Sequence, residues 1–239
     1  MSNLFGDAVR RDDVEDAGDV LGGFQRLDSN IYDFVVEMAY ALVSESGSRG
    51  ISLTLVGSNG QQMKENLYVT SGTAKGGKNF FIDRDGKQQY LPSFVIANDL
   101  CIAITGKELS DMKGTEKDVK VTVWEDDKPV ERLEKKQVLM DLIGGRVSLG
   151  ILKQLEDGYA DVSIPRERNV IAKVFTHGSR LSIVEKEAGL SEGSFAEKWL
   201  ERNLDRVNDR RKESRGNDAG AAGKAGAPAP ATAAPSLFA

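Results

Sequence analysis

The segment Gly72-Thr73-Ala74-Lys75-Gly76-Gly77-Lys78-Asn79 offers the most direct route to chemistry. It matches the Gly-x-x-x-x-Gly-Lys frame of a phosphate loop, in which backbone N–H groups and the lysine hold a nucleotide's phosphates. Two features argue against an ATPase. Asn79 stands where such loops carry a Ser or Thr, whose hydroxyl binds magnesium. A phosphate loop must also open a helix, and here Phe80-Phe81-Ile82 and a turn follow. The same composition suits a different kind of phosphate contact. Glycines let a loop backbone come close to phosphates, and Lys75 and Lys78 supply charge.

Aromatic residues gather around that loop. Tyr68, Phe80, Phe81 and Tyr90 are interleaved with Lys64, Arg84 and Lys87. Rings set among cations are the pattern of single-strand binding: bases stack on the rings and cations follow the phosphates. Phe80 and Phe81 are adjacent in a strand-like segment, so they point to opposite faces, one toward a core and one outward. The candidate nucleic-acid-binding residues are therefore Lys64, Tyr68, Lys75, Lys78, Phe80, Arg84, Lys87 and Tyr90. For any single ring the competing explanation is that it fills the core.

Other constellations carry less. Asp83-x-Asp85-Gly86 begins like a calcium loop, but Lys87, Gln88 and Gln89 stand where further acidic ligands belong, so it reads as a hairpin turn. Glu125-Asp126-Asp127 has the makings of a nuclease magnesium site, yet it adjoins Lys128-Pro129 and reads as a turn. There is one cysteine, Cys101, and one histidine, His177. An intrachain disulfide and a Cys/His zinc site are thereby excluded. A Ser-His-Asp enzyme would have to use His177, and a Cys-His enzyme both singletons. His177 precedes Gly178-Ser179 in a loop-like context, and Cys101 lies in an apolar run as a buried, inert thiol. No catalytic residue, metal or cofactor is expected.

The elements that must position these residues come next. The 239 residues are 40% hydrophobic, enough for a real core, and Lys plus Arg number 32 against 37 Asp plus Glu, a net charge of -5. That excludes a polybasic protein but not a locally basic face. Residues 60–90 are such a stretch, with Lys64, Lys75, Lys78, Arg84 and Lys87 against Glu65, Asp83 and Asp85. No apolar run of about 20 residues is present to span a membrane. Met1-Ser2-Asn3-Leu4-Phe5-Gly6 leads into acidic residues rather than an apolar signal region, so a soluble protein of a reducing cytoplasm is expected.

Between 29 and 176 the signals are mostly β. Residues 31–43 are rich in β-branched and aromatic types. Ile51 to Leu55 alternates, Gly57-Ser58-Asn59-Gly60 supplies a turn, and Met63 to Thr70 returns. Asn79 to Ile82 and Lys87 to Leu91 flank Asp83-Arg84-Asp85-Gly86 as a hairpin. Phe94 to Ile104 reads as a helix, with Ser93 to cap it and Gly106 to end it. Val121 to Trp124, Gln137 to Leu142, Val147 to Leu155 and Val170 to Phe175 are further strands. Short strands with a helix in mid-chain fit an OB-like β-barrel.

Four regions result. Residues 1–28 form an acidic, weakly ordered arm. Residues 29–190 form the OB-like core. Residues 191–215 read as a charged helix, with Ser191 as N-cap and Phe195, Trp199, Leu200, Leu204 and Val207 at helical spacing. Its Lys198, Arg202, Arg206 and Arg210 stripe is either a solvated, ion-paired face or a phosphate-facing one. Residues 216–239, in which 17 of 24 are Gly, Ala or Pro, form a disordered tail tipped by Leu237 and Phe238, a candidate partner-docking peptide.

The stretch Tyr68-Val69-Thr70-Ser71-Gly72-x-Ala74-Lys75-Gly76-x-Lys78-Asn79 resembles a group of tailed-bacteriophage single-stranded DNA-binding proteins. So do Tyr90-Leu91-Pro92 with Thr105-Gly106-Lys107-Glu108-Leu109, Arg168-Asn169-Val170-Ile171-x-Lys173-Val174-Phe175, Lys198-Trp199-Leu200-Glu201 and the tail closed by Ser236-Leu237-Phe238. The resemblance runs from about residue 30 to the end. It implies a non-enzymatic OB-like protein that coats single-stranded DNA in phage replication or recombination, in the cytoplasm of the infected bacterium. It also implies recruitment of phage or host replication or transcription proteins through the tail. One departure stands out: such tails are often acidic, whereas here the acidity lies at the N-terminus. A single-strand-dependent transcription or recombination regulator, and a metal-dependent nucleic-acid enzyme, are the alternatives.

Overall fold

The computed structural model describes residues 26–58, 60–125, 128–158 and 164–211. The chain is mainly β with few helices. Strands β1 (Asn30–Val43), β2 (Arg49–Gly57) and β3 (Gln62–Tyr68) form an antiparallel meander. A short hairpin follows, β4 (Phe80–Ile82) and β5 (Gln88–Tyr90), which is a separate two-stranded sheet. Helix α1 (Pro92–Thr105) starts on proline, whose fixed φ suits a first helical position, and stops at Gly106 at φ 74°. Leu91, not Ser93, occupies the N-cap.

Next come β6 (Thr115–Glu125) and β7 (Lys128–Val138), a long two-stranded arm. Then β8 (Arg146–Glu156) and β9 (Arg166–Thr176) pair with each other, and β8 pairs with the first half of β1. The arm joins the sheet where β7 meets β1 at Tyr40↔Val138. Gln137 to Leu142, expected as one strand, instead ends β7 at Val138 and turns through a single 3₁₀ turn at Met140–Leu142, which buries Leu142.

The sheet does not close on itself: among the described residues no ladder joins β3 to β9. Side chains span that seam instead. Arg168 of β9 donates to Glu65 of β3, and α1 packs against both strands. The core lies inside this curl, built from Phe34, Val36, Leu53, Leu55, Leu100, Val147, Leu149 and Val174 with their neighbours. Cys101 is fully buried there, and burial pushes its thiol up to about 12, which agrees with an inert role.

The C-terminal region differs from the expected long helix. A short helix, α2 (Ile183–Glu187), is opened by a Ser182/Glu185 capping box. The next helix, α3 (Phe195–Asn203), is only nine residues long. Trp199 and Ala196 cover the outward face of β1 and β9 at Ile31 and Phe175, and Gly150 leaves room for the Trp199 ring. Asp205, at φ 54°, breaks the helix, and its N–H donates to the Ser29 carbonyl. Residues Val207–Asp209 then form β10, parallel to β8 along Lys153–Leu155. An open strand edge beyond the end of β1 thus outweighs helix propensity. Arg206 and Arg210 are therefore not on a helical stripe with Lys198 and Arg202. Arg211 pairs with Asp209.

The acidic arm boundary also moves. Leu27 packs on the core and exchanges two hydrogen bonds with Asn169, 2.9 and 2.7 Å. Residues 1–25 and 212–239, with Leu237 and Phe238, lie outside the described residues.

Candidate nucleic-acid interface

A one-residue bulge in β1 shapes the candidate site. Phe34 and Val36 face the core, but the pairing with β2 jumps from Val36↔Leu55 to Met38↔Thr54. Beyond the bulge it is Ala39 that points inward. Because side chains alternate along a strand, the skipped residue, Glu37, turns Met38, Tyr40 and Leu42 outward. The registers of β1 with β2 and of β2 with β3 then define three outward rows: Met38–Thr54–Lys64, Tyr40–Ser52–Asn66 and Leu42–Gly50–Tyr68.

The arm walls this face. Val119, Val121 and Val138 bury themselves against Met38 and Tyr40, and Lys120 and Lys136 line the groove between arm and sheet, of about 860 Å³. Two tyrosine rings, the hydroxyls of Ser52, Thr54 and Thr122, the Asn66 amide and three lysines thus share one cleft with Glu45 and Glu134, a composition able to stack bases and contact phosphates. Glu134 lies 2.7 Å from Lys136 and offsets its charge. Lys64 forms no ion pair among the described residues.

Of the residues singled out from the sequence, Lys64 and Tyr68 therefore belong to this groove. Tyr68 is 41% exposed. The other six, Lys75, Lys78, Phe80, Arg84, Lys87 and Tyr90, lie on the loop and hairpin that follow β3. Lys75 sits in a 3₁₀ turn, Thr73–Lys75. That loop docks on the β1–β2 turn: the Thr73 N–H donates to the Ser46 carbonyl at 2.9 Å, and Gly72 leaves no room for a side chain beside Ser46. The β1–β2 turn adjoins Val43 and Glu45, which line the Tyr68 end of the groove. The lysine loop is thus anchored at that end.

In the hairpin, Phe80 pairs directly with Tyr90, so the two rings share a face, and Phe81 lies on the other. The expected division into one core ring and one outward ring fails, since neither face of this two-stranded finger meets the main core. Phe80 is half-buried, with the Lys78 ammonium 5.5 Å from its ring centre. Tyr90 is 61% exposed and leans on Phe94 at 5.1 Å.

The turn has its own chemistry. Asp83 accepts from the N–H groups of Asp85 and Lys87 at 3.0 and 2.8 Å and from the Gln89 amide at 3.2 Å. The Lys87 N–H, followed by the Gln89 and Asp85 donors, holds its carboxyl below the usual range. Gly86 takes the left-handed conformation the turn needs, φ 79°. With Asp83 occupied by backbone donors, Arg84 and Lys87 have no carboxylate partner, and neither do Lys75 and Lys78, among the described residues. The described residues contain no group of three His, Cys, Asp or Glu able to hold a metal.

Sequence reasoning missed Tyr40, Ser52, Thr54, Asn66, Lys120 and Lys136. Alternation in 38–42 was a signal, but the parity depends on the bulge, and the arm's approach is purely tertiary. No protein-family model matches this chain, and no curated protein matches it.

Proposed function

We propose that the protein binds single-stranded DNA without catalysis, as a bacteriophage single-stranded DNA-binding protein acting in replication or recombination in the infected bacterium. In this reading the curled sheet is an open OB-like barrel, a partly open form that the fold tolerates. The observation that carries the reading is the pairing of rings with uncommitted cations. Tyr40 and Tyr68 share a groove with Lys64, while Lys75, Lys78, Arg84 and Lys87 line the loop and finger anchored at its end, all without ion pairs among the described residues. A protein with net charge -5 that leaves these cations free in one stretch has concentrated its positive potential there.

A titration against single- and double-stranded DNA of equal length, at two salt concentrations, tests this. If about four phosphates are neutralised, log K should fall against log salt with a slope of roughly -3, from ~0.7 per contact on single strands. Salt-independent binding, or a preference for duplex, overturns the proposal.

A further inference from the structure

The outward face of the sheet does not stop at the groove. One row beyond Lys64–Thr54–Met38 lies Gln62–Val56–Val35–Arg146, running across β3, β2, β1 and β8 in register. Gln62 and Tyr68 are the two ends of β3, so the face extends about 20 Å along the strand. At this far end it sinks into a cavity of about 270 Å³. Val35, 37% exposed, and Val56 form an apolar shelf, and Arg146 and His177 stand at its rim with Asp33 and Ser58.

The polar groups here are arranged around one carboxylate. Asp33 accepts from the Ser148 hydroxyl at 2.5 Å, directly across the β1–β8 pairing, and lies 3.7 Å from His177 Nδ1. Arg146 has no carboxylate partner among the described residues. A guanidinium beside an apolar shelf suits a phosphate attached to a flat ring, because it is a preformed fork for phosphate oxygens. Asp33, restrained by Ser148, remains able to accept from the N–H edge of a base.

Resting on the single-strand-binding reading, we infer that this cavity is a nucleotide subsite. It takes one base on Val35 and Val56 and one phosphate on Arg146, with His177 alongside. Continuity of the outward rows makes the bound strand itself the source of that nucleotide. The strand crosses the bulge at Glu37 and ends its path at Arg146. The same chemistry would also accept a free mononucleotide, and the experiment separates the two.

His177 is the only histidine, so its imidazole gives a single set of NMR signals that report on this cavity alone. Wild type and Arg146→Gln are titrated with oligothymidylates of increasing length and, separately, with thymidine monophosphate. The subsite predicts that wild-type affinity keeps rising once the groove is filled and that the His177 signals shift only with the longer strands. Arg146→Gln should lose that rise, roughly tenfold for one lost stacked and contacted nucleotide, while keeping its melting temperature and its affinity for short strands. His177→Gln gives a second variant with the same expectation. If short and long strands bind wild type and Arg146→Gln alike, with His177 unmoved, the subsite is wrong and single-strand binding stands. If thymidine monophosphate shifts His177 but added length gains nothing, the strand path is wrong. If no strand binds, the functional reading fails with it.

Discussion

Replacing Lys75, Lys78, Arg84 and Lys87 together by glutamine tests whether the finger touches phosphate. None of the four has a carboxylate partner among the described residues, so their removal strands no counter-charge. Asp83, in the same turn, is held by the N–H groups of Asp85 and Lys87 and by Gln89, all of which remain. Apart from Lys78, each substitution should therefore change stability by no more than about 0.5 kcal/mol, the usual range for surface positions. Lys78 also loses its place over the Phe80 ring, a contact worth about 0.5–1 kcal/mol at an exposed site. Binding should change far more. If each cation neutralises one phosphate, the salt slope shrinks by roughly 2.8, which over a fourfold change in salt is roughly a 50-fold smaller response. The assay is fluorescence titration of a labelled single strand at several salt concentrations, beside a thermal melt. A slope that changes by less than one contact's worth, with the melt unchanged, would refute the finger's role and leave the groove alone to bind DNA.

Two further outcomes follow from burial. Tyr68→Ala should weaken single-strand binding by about 1–3 kcal/mol for one lost base stack, whereas Phe175→Ala, at 0% exposure, should destabilise the fold by about 3–5 kcal/mol; paired melting and binding curves that fail to separate the two variants would put Tyr68 in the core. Glu65 is 8% exposed, and desolvation raises its pKa despite the opposing attraction of Arg168. The folded state then takes up its proton before the unfolded state does. Ionised Glu65 thus costs stability above its raised pKa, and the cost is relieved as pH falls toward the ordinary carboxylate value of about 4.3. Wild type should gain on Glu65→Gln in melting temperature as pH drops through that window, and a flat or opposite difference counts against a desolvated seam.

Much of the fold was legible because its signals are local. β-Branched and aromatic enrichment marked β1, alternation marked β2, the Gly57-to-Gly60 turn marked the return into β3, the Asp83-to-Gly86 turn marked the finger, and an apolar run closed by Gly106 marked α1. The misreadings share a physical origin. Residues 204–211 carry a helix-compatible pattern, but the free edge of β8 recruits Val207–Asp209, and no local signal reports a distant edge. Ser182-x-x-Glu185 was a readable capping box ahead of α2. Of the candidate site, the cations and rings of residues 64–90 were visible as composition. Their division into a groove set, Lys64 and Tyr68, and a finger set was not, because it depends on where β3 ends and how the loop docks on Ser46.

The bulge in β1 separates two kinds of tolerance. Glu37 is exposed, and among the described residues its carboxylate does no more than accept from the Gln62 amide at 3.0 Å. Its identity carries little information, and many side chains would serve at that position. What matters is that it takes no rung of the ladder with β2. Deleting it would leave Val36 opposite Leu55 and Met38 opposite Thr54 on consecutive rungs, with Tyr40 and Leu42 still in the groove, whereas a Glu37 that took a rung of its own would bring Tyr40 and Leu42 to the interior and send Ala39 and Ala41 outward. The surface that faces a ligand is therefore encoded in which rungs Val36 and Met38 occupy rather than in the residue between them. Variation in this strand should accumulate freely at Glu37, by substitution or by its loss, whereas a residue added between Met38 and Leu42 would turn the groove residues beyond it inward.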